Sequence, residues 1–207
     1  VADSSTIIFW TFVDISNIEF AIANKFLQEI SKDYKCYFIC SGNIGEIIKK
    51  YYCDPQIIES ENNIQLKGEL FYNRIKKEKF DVLIKVDVDA LILDKGRLFN
   101  AVKNLEREAM GVVHSSVYGN YIRGGCNAVD QKAVKDINIK ESSYFNKNEF
   151  DFIFALAIKK AKIKIIDYPL FEVSENWTGN VPVWHPPKVK LDKRLLIFKE
   201  QLNKNGK

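Results

Sequence analysis

The sequence predicts one α/β domain with a mostly parallel mixed sheet flanked by helices. Apolar runs of strand length alternate with amphipathic stretches of helix length from the first residues onward. The 207 residues suffice for one full α/β core and are short for two. A hydrophobic share of 46% and a charged share of 28% are those of an ordinary globular protein and exclude a disordered chain. The net charge of +4 suits anionic ligands. It lacks the concentrated basic patch of a nucleic-acid binder, so no nucleic-acid partner is expected.

Taken in order, Thr6–Phe12 reads as a buried strand. Ser16 and Glu19 have capping-box spacing and open a helix with Ile22, Phe26, Leu27 and Ile30 on one face. Tyr34–Cys40 is a second strand, stopped by Ser41, Gly42 and Asn43. A short helix over Gly45–Tyr52, a short strand at Ile57 and Ile58, and a helix over Ile64–Lys79 follow. Asp81–Leu93 is the most apolar strand region of the chain. Beyond it, Lys95–Leu105 reads as helix, Met110–Ser115 as strand, and Tyr121–Val129 as a loop entering a strand. Gln131–Ile137 and Asn148–Lys160 read as helices, followed by a final strand at Lys164–Ile166. Such an alternation places ligands beyond the carboxyl ends of the strands.

From Lys188 the character changes. Leu191, Leu195, Phe198 and Leu202 fall at helical spacing among Lys190, Lys193, Arg194 and Lys199. The expected division is therefore a main domain over 1–187 and a basic amphipathic helix over 188–207, either packed on the domain or touching a membrane surface or partner. No apolar run reaches the roughly 20 residues of a membrane span and no leader-like segment is present, which points to a cytoplasmic protein, peripheral at most. The four cysteines form no CxxC pair, and buried, reduced thiols are expected, with Cys36 and Cys40 on one strand face.

The chemistry centres on Phe80–Leu93, FDVLIKVDVDALIL. In an extended strand residues two apart share a face, so Asp87 and Asp89 would point the same way. Two neighbouring carboxylates repel each other and resist burial. A divalent cation, Mn²⁺ or Mg²⁺, removes both difficulties and takes phosphate oxygens as further ligands. The competing reading ends the strand at Val86 and leaves the two acids in a solvated turn. A haloacid-dehalogenase-type phosphatase also uses Asp-x-Asp, on a first strand and with a small hydroxyl residue or Val where Leu91 stands here.

The segment KVDVDALIL resembles the DxD strand of glycosyltransferases of the GT-A fold, a Rossmann-like architecture, and FDVLIKVDVDALI resembles the β-1,3-galactosyltransferase-like group in particular. Two later segments are similar to that group in order and spacing. Tyr121–Ile137 is similar to its glycine-rich acceptor-side strand and following helix, and Phe150–Ile163 to its helix that opens with an acidic pair. The chain departs at Phe150, where the pair has Glu, and at Val88, where many members have a third Asp.

The resemblance implies a metal-dependent transfer of a hexose from a nucleoside diphosphate sugar, UDP-linked by preference, to a glycan hydroxyl. It implies Asp87 and Asp89 as metal ligands, His185 as a third, and Asp151 as the base of an inverting reaction. Read from residues alone, Asp151 equally suits a helix start, as does Glu149, and His185 equally suits a surface loop held by Pro186 and Pro187. Donor contacts are expected from Thr11, Phe12 and Asp14 at the end of the first strand, and from Lys67, Lys85, Val88 and Lys188. Acceptor contacts are expected from Arg123, Gly124, Gly125 and Glu149, although a plain turn explains the glycines nearly as well. Two rivals stand beside this reading: a retaining transferase in which Asp151 only orients substrate, and a non-catalytic carbohydrate-binding subunit of a glycan-assembly complex.

Overall fold

The computed structural model describes residues 6–60, 63–116, 119–140 and 150–206. A seven-stranded sheet forms the centre. Its first half is parallel: β1 (Ile7–Val13) lies between β2 (Lys35–Cys40) and β4 (Val82–Val86), and β3 (Gln56–Glu59) pairs with β2 at the edge. β7 (Gly119–Asp130) then runs antiparallel to β4, with Val86 opposite Cys126. Beyond it come β6 (Glu108–Ser116), antiparallel to β7, and β8 (Lys164–Asp167), parallel to β6. The order is β3-β2-β1-β4-β7-β6-β8. The chain reverses its direction of winding between β1 and β4, and a crevice opens at such a point beyond the strand ends.

β1 and β4 read as near-continuous apolar runs, interrupted by Thr11 and Lys85, because both faces of the sheet are covered. Alternate residues serve different layers. Phe9, Phe38, Ile84 and Val86 face one cluster, which contains Phe20 of α1 (Ile18–Ala23), Leu27 and Ile30 of α2 (Lys25–Asp33), Ile48 of α3 (Ile44–Ile48) and Leu98 of α5 (Lys95–Val102). Phe198 of α8 (Leu191–Asn205) joins it, its ring 5.2 Å from that of Phe20. Trp10, Tyr37, Ile39 and Leu83 face the other cluster. Phe71 and Tyr72 of α4 (Ile64–Ile75), Val134 of α6 (Gln131–Asp136) and Phe154 of α7 (Phe150–Lys160) lie there.

Several sequence expectations need correction. The Ser16/Glu19 capping box does not form: Ser16 bonds Asp14, and the helical stretch breaks at Asn24, whose side chain caps α2 through the Leu27 N–H. The long helix ends at Ile75 rather than Lys79. Tyr121–Val129 is strand throughout. The stretch Asp81–Leu93 is two strands, β4 and the two-residue β5 (Leu91–Ile92), with a turn between them. β5 belongs to a second small sheet with β10 (Val183–His185) and β9 (Phe171–Val173), ordered β5-β10-β9, and the sequence reading missed the last two. Of the cysteines, Cys36, Cys40 and Cys126 are buried as expected and Cys53 is exposed. No helix of the described residues is long and apolar enough to cross a membrane.

The departure at Phe150 has a packing reason. Its ring lies 5.5 Å from Trp10 and 5.1 Å from Phe12, edge to face, and closes the aromatic cluster between α4 and β1. It comes so close to α4 that a Cβ at Gly68 would stand 2.2 Å from the ring. Gly68→Ala therefore tests this contact. Helix propensity alone favours alanine by roughly 1 kcal/mol, but overpacking costs about 1–3 kcal/mol. A melting temperature below the native one is the expected outcome, and a higher one would show that Phe150 moves freely.

Candidate metal centre and substrate clefts

The turn that carries the two acids is built by backbone bonds and one buried amide. β4 ends at Val86, and the Ala90 N–H donates to Asp87 O at 2.9 Å. Asn24 is fully buried and donates to Val88 O and Ala90 O, both at 2.9 Å. Asp87 and Asp89 are thus brought together by a pinned turn and not by strand alternation. The turn is only partly solvated: Asp89 is 7% exposed, whereas a third of the Asp87 side chain reaches solvent.

Beneath it lies a buried ammonium. Lys85 is 4% exposed, and its Nζ is 2.6 Å from Asp87 Oδ1 and 3.8 Å from Asp151 Oδ1. Burial opposes the charge on Lys85, but Asp87 and Asp151 outweigh that and hold its pKa above the usual lysine value. Burial likewise opposes ionisation of Asp87, and Lys85, His185 and the Gly125 N–H hold it well below the carboxylate range. Asp87 and Gly125 bond reciprocally: the Asp87 N–H donates to Gly125 O at 2.9 Å, and the Gly125 N–H to Asp87 Oδ2 at 2.8 Å. The Gly124 N–H donates to Asp151 Oδ2 at 2.7 Å.

The glycine pair lies inside β7, in no turn, and both positions exclude a side chain. A Cβ on Gly124 would meet Asp151 Oδ2 at 2.8 Å and Asp87 Oδ2 at 3.3 Å. Gly125 has φ +74°, and a Cβ there would be 2.6 Å from the Phe171 ring.

β10 brings the third group. His185 is 6% exposed, not in a surface loop, with Nε2 3.3 Å from Asp89 Oδ1 and 3.9 Å from Asp87 Oδ2. Its Nδ1 lies 2.8 Å from Pro186 O. A carbonyl only accepts, so this contact places the proton on Nδ1 and leaves the neutral ring's lone pair on Nε2, toward the acids. One ligand atom each from Asp87, Asp89 and His185 lie within 4.8 Å of one another. Two carboxylate oxygens and an imidazole nitrogen fit Mn²⁺ or Mg²⁺, the imidazole favouring Mn²⁺. Burial disfavours protonated His185, yet Asp89 and Asp87 raise its pKa above the ordinary value. Arg194 of α8 forms an ion pair with Asp89 and approaches His185 Nε2 to 3.2 Å.

Two clefts share the wall on which these groups sit. One, of ≈ 620 Å³, lies at the winding reversal; Phe12, Asp14, Lys85, Val88, Lys188 and Arg194 line it. The other, of ≈ 340 Å³, is lined by His114, Tyr121, Arg123, Gly124, Gly125 and Phe171. Asp87, Asp151 and Lys188 face both, and both volumes are of ligand size. Most residues expected to contact donor or acceptor line one of these clefts, and two do not. Thr11 is buried in β1, its Oγ1 without a hydrogen-bond partner, and Lys67 bonds Ser41 Oγ. Glu149 lies outside the described residues. His114 is exposed in the second cleft. Asn24, Tyr121, Phe171 and Arg194 were not foreseen.

The sequence matches no family model and no curated protein. Solved structures do match. A glycosyltransferase involved in glycosylation of the major capsid of PBCV-1 superposes with TM-score 0.61 at 12% identity, over 94% of this chain and 98% of its own. The galactosyltransferase LgtC, in complex with donor and acceptor sugar analogs, gives 0.55 at 9% identity over 93% and 95%. A putative nucleotide-diphospho-sugar transferase from Desulfovibrio desulfuricans G20 gives 0.51 at 7% identity over 80% of each chain. The chain has the GT-A glycosyltransferase fold. On this GT-A scaffold the Asp87/Asp89 pair occupies a turn following β4, beside the β1/β4 crevice.

Lys85→Met would leave Asp87 and Asp151 without their shared cation. Breaking a buried pair costs about 3–5 kcal/mol, and solvent reaching the one-third-exposed Asp87 side chain brings the expectation to the low end, about 3 kcal/mol. Denaturant unfolding should register that loss, and a variant within about 0.5 kcal/mol of native would mean the ammonium is dispensable.

Proposed function

We propose that the protein is a divalent-metal-dependent glycosyltransferase that moves a hexose from a nucleoside diphosphate sugar, UDP-linked by preference, to a glycan hydroxyl. The carrying observation is the ligand triad on the wall shared by two clefts of the GT-A fold. Asp87, Asp89 and His185 would hold the cation, which when bound supplies charge to neutralise the departing diphosphate. Lys188, at the same wall, adds a further positive charge. Phe12 and Asp14 offer an apolar face and a carboxylate for the nucleoside at the end of β1. Arg123, Tyr121 and Phe171 line the acceptor side.

Asp151 stands where the clefts meet, and in this reading it takes the proton of the acceptor hydroxyl as that oxygen attacks the anomeric carbon. The product then has inverted configuration. The contacts of both its oxygens, to the Gly124 N–H and toward Lys85, favour a second reading in which Asp151 only orients substrate and the transfer retains configuration.

A thermal-shift panel of nucleotides and nucleotide sugars, with and without Mn²⁺, tests the class. Stabilisation by one nucleoside diphosphate that vanishes with a chelator is expected; no metal-dependent response to any would end the proposal. Asp89→Asn keeps the shape of a nearly buried side chain, and it should abolish that response while the unliganded protein stays folded.

Asp151→Asn separates the two roles. As base, its loss should cut transfer by roughly a hundredfold to ten-thousandfold with donor affinity nearly native. Turnover within a few-fold of native, with retained anomeric configuration, would select the orienting role. Nucleotide-sugar binding without transfer by the native protein would instead indicate a carbohydrate-binding subunit.

A further inference from the structure

Arg194 pairs with two of the three side chains that a metal would use. Its guanidinium pairs with Asp89 Oδ2, and Nη2 lies 3.2 Å from His185 Nε2. With Nδ1–H on Pro186 O, Nε2 is the ring's one lone pair. A lone pair serves a metal ion or an N–H donor, not both. The side chain is 23% exposed, and its Nε is buried without a hydrogen-bond partner, so Arg194 is under-satisfied where it lies. Its guanidinium is 5.8 Å from the Phe20 ring centroid, which leaves the plane held by one face rather than locked in a cage of acceptors.

Arg194 also lines the first cleft with Lys188, in the opening turn of α8. The first N–H groups of that 15-residue helix add positive potential there. We propose that Arg194 is an exchangeable counter-cation: it holds Asp89 and His185 against the metal ion, and it transfers to the donor's diphosphate when metal and nucleotide bind together. This rests on the metal-site reading above and adds a coupling to it. The metal alone must displace Arg194, whereas with the diphosphate present the displaced guanidinium gains phosphate oxygens that it grips bidentately. Metal and nucleoside diphosphate therefore strengthen each other's binding through a side chain that ligates no metal.

The test measures Mn²⁺ binding, by loss of the free-ion electron paramagnetic resonance signal, with and without UDP, and UDP binding at saturating Mn²⁺. Arg194→Met retains an apolar stem over Phe20. It should bind Mn²⁺ alone roughly tenfold more tightly and UDP several-fold more weakly, because a charge-assisted hydrogen bond is lost from one side of each equilibrium. Arg194→Lys, which keeps the charge without the planar fork, should fall between. Opposite shifts of the two affinities are the signature. Unchanged or weaker Mn²⁺ affinity in Arg194→Met, with native protein binding Mn²⁺ normally, overturns the exchange and leaves the metal site standing. Failure of native protein to bind Mn²⁺ at all removes the metal-site reading and this one together. If Arg194→Met does not fold, the same comparison on Arg194→Lys decides.

Discussion

A lysine ammonium buried in the central sheet sets the terms for everything around it. An isolated charge at Lys85 would be prohibitively costly, so two carboxylates must reach it from separate parts of the chain. Asp87 comes from the turn just after the strand, and Asp151 from the first turn of α7. Each carboxylate then needs donors for its remaining oxygen, and β7 supplies them from two successive N–H groups. Gly124 can approach so closely because a Cβ there would meet both carboxylates, whereas at Gly125 a Cβ would meet the Phe171 ring. One buried positive charge thus explains the two acids, Gly124 and the close approach of β7 to the end of β4.

The parallel half of the sheet was legible because strands covered on both faces are written as nearly unbroken apolar runs, as in IIFWTFV and CYFIC. β9 and β10 were not, since three residues each carry no period. β10 is buried by pairing with β5, a contact across roughly ninety residues of sequence that no local window holds, and β9 pairs with β10 in turn. The DVD segment was read as strand for the same reason β5 was hidden: the apolar residues around the acids are buried by two different sheets. Asp87 and Asp89 were found by residue type and spacing, His185 was implied by the family resemblance, and the geometry joins the three. Arg194 was hidden among the basic residues of an amphipathic helix, where nothing distinguishes it from Lys193 or Lys199 until its partner across the fold is seen.

The two departures from the resembled pattern are both structural in this chain. Phe150 fills an aromatic cluster that an acid could not occupy. Val88 is 1% exposed and contributes its backbone carbonyl to Asn24, so the middle of the DVD turn is held by its main chain. At 7–12% identity to the matching structures, the fold is preserved with almost no shared sequence. What identifies a site under those conditions is the set of positions forced by charge and close contact.

The distribution of sulfur has a practical side. Cys53 is exposed, while Cys40 ends β2 and Cys126 sits beside Gly125 in β7, both buried. Burial pushes the Cys40 thiol up to about 12 and that of Cys126 higher still, so neither reacts while its strand is in place. An alkylating reagent would mark Cys53 at once and the others only as each strand opens, and peptide mass mapping resolves them. The native protein therefore carries its own time-resolved reporters of breathing, Cys36 and Cys40 in β2 and Cys126 opposite Val86 in β7.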